Sequence, residues 1–325
     1  MRILWFMMVL FSLGVQACSK SPNSSSTVNT DTQQITLKEQ DIAAGALHGL
    51  HVNAGKNSPI ALIVPGSGPT DRDGNSGAGL RSNAYKHLAH QLAAKGVSTV
   101  RVDKRGLHSS ATAGDANAVT IEIYAQDYRN WIDVVKQETG AKCVYLLGHS
   151  EGGLMVSATA SGRTDVCGLI LVSAAGRPMG TVLREQLKSN PANLLILKQA
   201  FAAITKLEVG ETVDTENMHP ALMGLFRNSV QDYWISLMAV NPAQVAAQAK
   251  QKTLIVQGGN DIQISVKDAE LLAEATGGEL VILGKVNHIL KTAPKSRRGN
   301  MKTYSNPDLP VADGVVDAIA KFMLE

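Results

Sequence analysis

The sequence contains little cysteine, no strong excess of either charge and no recognisable cofactor motif. Its 31 Lys and Arg against 28 Asp and Glu leave a net charge of +3, which is too small for the dense basic surface that nucleic-acid binding needs. Three cysteines in 325 residues exclude the disulfide scaffold of a small secreted domain. Because no phosphate-binding loop, dinucleotide fingerprint or metal-ligand set is present, we expect no cofactor and no metal.

The N-terminal segment has the pattern of an export signal. Arg2 is followed by an uncharged apolar run of 13 residues, 3–15, well short of the roughly 20 that a membrane-spanning helix needs. The run ends in Val15-Gln16-Ala17-Cys18, which resembles the cleavage box of a bacterial lipoprotein. That resemblance implies removal of residues 1–17, lipidation of Cys18 and, because Ser19 follows, a membrane anchor on the periplasmic side of the outer membrane. The same box also suits ordinary signal peptidase, which would release a free periplasmic protein.

Residues 18–34 are rich in Ser, Asn and Thr, so we expect a flexible tether. From about Ile35, apolar runs of about five residues, the length of a buried strand, alternate with amphipathic segments. This alternation predicts an α/β fold with a mostly parallel central sheet flanked by helices. Two less regular strands, near 35–38 and 46–52, would add an antiparallel edge. The predicted parallel strands are 60–64, 98–102, 143–147, 168–172, 253–257 and 279–283, and the predicted helices are 83–95, 121–137, 154–161, 266–275 and 311–323.

One interval breaks the alternation, because 80 residues separate strands 168–172 and 253–257. It contains several helical stretches, so we predict a helical cap at 177–250, inserted between strands 6 and 7 of a core formed by 35–176 and 251–325. The apolar residues of this segment either fill the cap's own interior, which is the favoured interpretation, or form an adaptable pocket for an acyl chain.

A candidate nucleophile lies at Ser150. Strand 143–147 runs into Gly148-His149-Ser150-Glu151-Gly152-Gly153 and then a helix. In a sharp strand-to-helix turn, the positions two residues before and after the serine have no room for a side chain, which accounts for both glycines. An ordinary glycine turn is the disfavoured alternative. With this motif the chain resembles the α/β-hydrolase superfamily from about Ile35 to its C-terminus.

The resemblance implies a catalytic acid and then a histidine, each after a later strand. Asp261 follows strand 253–257 and His288 follows strand 279–283. Taken alone, each would be an ordinary loop residue. Because the carboxyl ends of parallel strands share one edge of a sheet, however, both can meet Ser150 there. We expect His288 to take the serine proton and return it to the leaving group, with Asp261 orienting the imidazole.

The loop after strand 60–64 lies at the same edge and reads Pro65-Gly66-Ser67-Gly68-Pro69. Loops in this place supply one of the two backbone donors for a tetrahedral oxyanion, and the residue after the nucleophile supplies the other. We therefore predict the amides of Ser67 and Glu151 as oxyanion donors, with Gly66 and Gly68 in contact with the substrate. A glycine-rich surface turn is the alternative.

The string GSGPTDRDGN at 66–75 is more specific than the superfamily pattern. It is similar to a group of bacterial esterases related to dienelactone hydrolases and serine aminopeptidases, and segments 101–106, 147–153, 254–265 and 286–291 resemble that group's other blocks. The resemblance implies hydrolysis of small carboxylic esters with short acyl chains. His108 departs from the group's Asp-x-Arg-Gly-x-Gly-x-Ser segment, and we favour a solvent-facing side chain there over one that narrows the site.

Three other functions remain open. An aminopeptidase of this fold would need carboxylates that bind a free amino terminus, which the cap could supply. A thioesterase would use the same three catalytic residues. A lipid-anchored protein that binds without catalysis is a third option, which the intact Ser150, Asp261 and His288 disfavour. The candidate cap carboxylates are Glu208, Glu211, Asp214 and Glu216.

A basic stretch follows His288. We favour a solvated loop for it over a surface that attracts an anionic substrate. Its members are Lys291, Lys295, Arg297, Arg298 and Lys302.

With Cys18 assigned to the lipid anchor, Cys143 and Cys167 remain. They lie at the starts of two strands that are neighbours in the expected fold, about 4.8 Å apart, which a disulfide tolerates. An exported protein also meets oxidising conditions. A Cys143 to Cys167 disulfide is therefore a testable prediction, with two buried free thiols as the favoured alternative.

Overall fold

The structure, a computed structural model, describes residues 38–77 and 79–325. The predicted signal peptide, the lipidation site at Cys18 and the tether at 18–34 lie outside the described residues. Within the described part of the chain, no helix is both long enough and apolar enough to cross a membrane.

Within the described residues, eight strands form the main sheet, and all six predicted parallel strands are confirmed to within two residues. The predicted edge strand near 35–38 lies almost wholly outside the described residues, within which the first strand begins at Glu39. The strands are β1 (Glu39–Ala44), β2 (Leu47–Val52), β3 (Ile60–Val64), β4 (Ser98–Val102), β5 (Val144–His149), β6 (Val166–Val172), β7 (Thr253–Gly258) and β8 (Glu279–Leu283). Their spatial order is β1-β2-β4-β3-β5-β6-β7-β8. Strand β2 is antiparallel to β1 and β4, and all other pairs are parallel, so the mostly parallel sheet with an antiparallel edge is confirmed.

Helices cover both faces of the sheet because successive strand residues point to opposite sides. Leu62 of β3 packs in a cluster with Ile132, whereas the next residue, Ile63, packs with Leu88 and Ile319. The five predicted helices are confirmed to within two residues. They are α1 (Ala84–Ala93), α2 (Ile121–Thr139), α3 (Gly152–Ala160), α9 (Val266–Thr276) and α11 (Asp313–Leu324), and a short α10 (Arg297–Lys302) precedes the last.

Five helices lie between β6 and β7, in the segment for which a cap is predicted, and we call them the helical insertion. Their buried residues, such as Leu207, Phe226 and Leu237, belong to the same apolar cluster as the α2 face of the sheet. Leu194 and Leu195 are instead strongly exposed. The helices are α4 (Met179–Lys188), α5 (Leu197–Glu208), α6 (Pro220–Phe226), α7 (Gln231–Met238) and α8 (Pro242–Gln248).

A disulfide joins Cys143 and Cys167, whose Cα atoms are 5.3 Å apart. The favoured alternative of two free thiols is therefore wrong. The physical reason is the strand register, since Val144 at the start of β5 pairs with Val166 of β6 and brings the two cysteines together.

Candidate active site

The site lies where the direction of strand order reverses, beside β3. Val64, the last residue of β3, pairs with Gly148 of β5, so the loop that follows β3 runs beside the turn that carries Ser150. His149 pairs with Val172 at the end of β6. In open α/β sheets this reversal opens a crevice at the carboxyl ends of the strands, where ligands bind.

Ser150 occupies a strained turn between β5 and α3. Its φ of 55° lies in the left-handed region that is costly for a residue with a side chain. The flanking glycines are required sterically: a Cβ on Gly148 would lie 2.3 Å from the Gly152 oxygen, and one on Gly152 would lie 2.5 Å from the Val64 oxygen. Because α3 starts at Gly152, its positive end lies next to the serine.

The structure brings His288 and Asp261 into direct contact. Nδ1 of His288 lies 2.8 Å from Oδ2 of Asp261, and both side chains are almost fully buried. Burial alone would raise the pKa of the Asp261 carboxyl, but His288 and the amides of Gln263 and Ile264 outweigh it and lower the pKa below its usual value. An ionised Asp261 accepts the Nδ1 proton, which leaves Nε2 of a neutral His288 as a proton acceptor.

Ser150 and His288 line one cavity of about 90 Å³. Among the hydrogen bonds of the described residues, none joins the serine hydroxyl to the imidazole; in ligand-free enzymes such bonds are often long and tighten with substrate. The predicted substrate-contact residues Gly66 and Gly68 line the same cavity. Its further lining includes Ser67, Tyr85, Gln263, Ile289 and Tyr304.

The loop that carries the predicted oxyanion donor Ser67 approaches the serine turn, and Ser67 lines the same cavity as Ser150. A Cβ on Gly66 would lie 3.1 Å from the Ser150 Cβ, so a side chain at this position would crowd the serine turn. Within the described residues the Glu151 amide donates no hydrogen bond, which leaves it available to a ligand. The side chain of Glu151 is buried, and its Oε1 accepts a 2.7 Å hydrogen bond from the Tyr233 hydroxyl of the helical insertion.

A second cavity, of about 130 Å³, shares Ser67, Gly68 and Pro69 with the first. The loop at 67–69 therefore separates the two cavities. The second cavity's walls are largely apolar and aromatic and come partly from the helical insertion. They include Leu107, Val119, Tyr124, Leu225, Val230, Tyr233 and Trp234, together with Lys104, Glu151 and Arg227.

Sequence reasoning missed a buried chain of hydrogen bonds behind the serine. The Gly66 amide donates to the Tyr85 hydroxyl over 3.1 Å, and this hydroxyl lies 2.7 Å from Nδ1 of His149. Burial, and then the nearby His288, lower the pKa of His149 to about 3, so the ring is neutral and accepts the tyrosine proton. The Gly-x-Ser-x-Gly pattern leaves the residue before the serine unspecified, so the motif gives no signal for this role of His149.

The structure places the other residues that the sequence singled out, namely His108, the basic stretch and the cap carboxylates. His108 is exposed, as predicted, with Nε2 3.1 Å from the Pro69 oxygen. The basic stretch is exposed except at Lys291, where the prediction is wrong: its side chain is fully buried and donates to the Ser82 and Asn306 oxygens. The four cap carboxylates considered for a peptidase are exposed and line neither cavity. Within the described residues, no group of three or more His, Cys, Asp or Glu side chains could hold a metal ion.

Comparison with known families identifies the family of the chain. The family model "Serine aminopeptidase, S33" matches residues 75–290, a range that contains Ser150, Asp261 and His288. The chain belongs to the serine aminopeptidase S33 family. A curated relative of this family member, Esterase EstD of Thermotoga maritima, is 26% identical over 299 residues, which cover 89% of this chain and 68% of EstD.

Solved structures confirm the α/β-hydrolase fold. Est1E from Butyrivibrio proteoclasticus, solved with ferulic acid bound, has a TM-score of 0.57 at 18% identity, with 88% of this chain and 98% of that chain covered. An esterase of Pyrococcus furiosus has a TM-score of 0.56 at 13% identity, with coverage of 92% and 96%. A dienelactone hydrolase from Anabaena variabilis has a TM-score of 0.53 at 14% identity, with coverage of 89% and 97%.

Proposed function

We propose that the chain is a serine esterase that cleaves small carboxylic esters through an acyl-enzyme intermediate. The observation that carries the proposal is the buried hydrogen bond between His288 and Asp261 beside the cavity that holds Ser150. In the first step His288 accepts the Ser150 proton as the hydroxyl attacks the ester carbonyl, and it then gives this proton to the departing alcohol. Asp261 stabilises the imidazolium meanwhile. Water attacks the acyl-enzyme in the same way and regenerates the serine.

The two amides predicted as oxyanion donors complete the proposed site. Ser67 and Glu151 flank the serine, so their N–H groups can bind the negative charge that develops on the carbonyl oxygen. Glu151 lies at the N-terminal end of α3, where the helix dipole also favours negative charge.

The two cavities suit the two halves of a small ester. The leaving alcohol must lie next to its proton donor, His288, which lines the first cavity. The acyl chain then extends past the loop at 67–69 into the more apolar second cavity. At about 130 Å³, this cavity is smaller than the 150 Å³ or so that holds a benzene molecule. It therefore favours short acyl chains, as the resemblance of the 66–75 string to bacterial esterases also implies.

A test of the proposal is to label the purified protein with a fluorophosphonate and compare hydrolysis of nitrophenyl esters of two to twelve carbons, acyl thioesters and aminoacyl amides. We expect labelling that the Ser150→Ala variant loses, and highest kcat/KM on the shortest oxygen esters. Full turnover by Ser150→Ala would refute the nucleophile. Preference for amides or thioesters would replace the esterase by a peptidase or thioesterase, and absence of both labelling and turnover would favour a binding protein.

The same proposal includes export and a lipid anchor at Cys18. The Cys143 to Cys167 disulfide supports an oxidising compartment, where such bonds persist. Palmitate labelling of the cells and membrane fractionation test the anchor. Wild type should carry label in the outer membrane, whereas Cys18→Ala should be unlabelled and soluble in the periplasm; soluble, unlabelled wild type would contradict the anchor.

A further inference from the structure

Lys104 is a buried lysine whose hydrogen bonds go to the loop beside the candidate nucleophile. Lys104 follows β4 and is only 5% exposed. Its Nζ donates to the Gly66 oxygen over 2.7 Å and also to the Gly68 oxygen. Within the described residues no carboxylate forms an ion pair with it. A buried ammonium without such a partner is costly, so its contacts with this loop need an explanation.

The geometry of the peptide group explains why these contacts of Lys104 matter to the loop. In a trans peptide the carbonyl and the following N–H point in opposite directions, and the described residues contain no cis peptide. When Lys104 holds the Gly66 carbonyl on one side of the loop, the Ser67 N–H must point to the other side. Lys104 lines the second cavity and Ser150 lines the first, so the other side is the side of the serine.

Gly66 is held at both of its polar groups. Its carbonyl accepts from Lys104, and its amide donates to the Tyr85 hydroxyl over 3.1 Å. A glycine has no side chain that restricts its backbone, so these two contacts fix the orientation that the next amide takes. The ammonium also polarises the Gly66–Ser67 peptide and strengthens its N–H as a donor.

We propose that Lys104 is a positioning residue that aims the Ser67 amide at the oxyanion, and that it thereby sets the rate of acyl transfer. The proposal rests on the proposed esterase function. Lys104 lines the cavity assigned to the acyl chain but touches no reacting atom in this scheme; it affects the rate through one peptide group of the loop.

The local charges give a second readout. Burial lowers the pKa of Lys104 to about 8, with Glu151 acting in the opposite direction. Burial raises the pKa of Glu151 itself. The other titratable groups that line the second cavity are Tyr124, Arg227 and Tyr233. As pH rises through about 8, Lys104 loses its charge and polarises the peptide less.

The experiment compares Lys104→Met, which keeps an unbranched chain but cannot donate, with Lys104→Arg, which stays charged at alkaline pH. The exposed Lys142→Met serves as the matched control. For each protein we would titrate active sites with a fluorophosphonate, then measure kcat, KM and the inhibition constant of a trifluoromethyl ketone, which forms an anionic adduct with the serine.

We expect Lys104→Met to lose about 10- to 100-fold in kcat per titrated site, with KM within twofold and ketone binding weakened in parallel. Wild-type kcat should fall above about pH 8, and Lys104→Arg should not show this fall. A merely structural lysine would lower the titratable fraction or Tm but leave kcat per site unchanged, and that result would overturn the proposal.

The outcomes distinguish a failure of the proposed role of Lys104 from a failure of the proposed esterase function. If wild type neither reacts with the fluorophosphonate nor turns over esters, the esterase function fails. If wild type reacts normally and Lys104→Met matches Lys142→Met, only the role of Lys104 fails. If Lys104→Met does not fold, the proposal is tested by the pH dependence of kcat in Lys104→Arg and wild type. The same fall in kcat at alkaline pH in both proteins would refute the role of Lys104.

Discussion

His149 Nε2 lies 2.7 Å from the main-chain oxygen of His288, so the residue before the candidate nucleophile holds the backbone of the candidate base. Since a carbonyl can only accept, this nitrogen carries the proton and Nδ1 accepts from Tyr85. One neutral imidazole thus links the loop of Gly66, helix α1, the serine turn and the His288 loop. The chain of contacts fixes the relative positions of these four segments.

Replacing Tyr85 by Phe tests this linkage. The change keeps the ring but leaves the Gly66 amide and the His149 Nδ1 without their buried partner, which should cost about 1–3 kcal/mol of unfolding free energy. We also expect kcat to fall roughly 10-fold with little change in KM, because small misplacements of reacting groups are costly. Urea unfolding and ester kinetics measure the two effects.

Tyr145→Phe is the matched control for that variant. The Tyr145 hydroxyl makes a long 3.4 Å hydrogen bond to the Met323 oxygen and lines a groove that shares no residue with the two cavities. Its kcat should equal that of wild type. Equal kcat in Tyr85→Phe and Tyr145→Phe would show that the linkage does not position the reacting groups.

Much of the fold was predictable because it depends on local patterns. Runs such as 60–64 are apolar at every position, which marks a strand buried on both faces. The edge strand β1 alternates buried and exposed residues irregularly, so its sequence carries a weaker strand pattern than the central strands do. The proximity of Ser150, Asp261 and His288 was predictable, because each lies in the turn or loop after a strand and strand ends converge at one edge of a parallel sheet.

The supporting contacts were not predictable, because each joins segments that only the folded chain brings together. Lysines are rarely buried, yet Lys104 and Lys291 both bury their ammonium groups against main-chain oxygens of other loops. Lysine and arginine side chains lie at the surface in most proteins. Nothing in the sequence around a lysine shows that carbonyl oxygens of a distant loop will accept its hydrogen bonds.

Asp261 should make the protein sensitive to acid. Its pKa is lowered in the folded state, because His288 and two backbone amides outweigh the effect of burial. Its stabilising contribution is therefore present above the unfolded-state pKa of about 3.9 and is lost as pH falls through the folded-state pKa. We expect the difference in unfolding free energy between wild type and Asp261→Asn to be constant from about pH 5 to 7 and to shrink below about pH 4. A difference that stays constant through this acid range would contradict the shift.

The disulfide should stabilise the fold without affecting the chemistry. Cys143 and Cys167 are 24 residues apart, and closing a loop of this length contributes about 3 kcal/mol in the chain-entropy model. Cys143 precedes β5 and Cys167 is the second residue of β6. The disulfide therefore lies at the amino ends of these strands, whereas the serine turn follows the carboxyl end of β5. Cys143→Ser with Cys167→Ser should therefore lower the Tm in thermal unfolding while leaving kcat/KM within twofold. Two titratable thiols in denatured, unreduced mature protein would contradict the bond.

The assignment of the second cavity to the acyl chain predicts a division of effects between two variants. Leu225→Ala enlarges the second cavity, so esters of longer acyl chains should gain relative to acetate, by about fourfold in kcat/KM for each added CH₂ that becomes buried. Ile289→Ala enlarges the first cavity, near His288, and should change selectivity for the alcohol while leaving the order of acyl chains intact. Each variant is thus the control for the other, with kcat/KM on a matrix of acyl and alcohol lengths as the measurement. Should Ile289→Ala alter acyl preference and Leu225→Ala alter alcohol preference, the two halves of the ester occupy the opposite cavities.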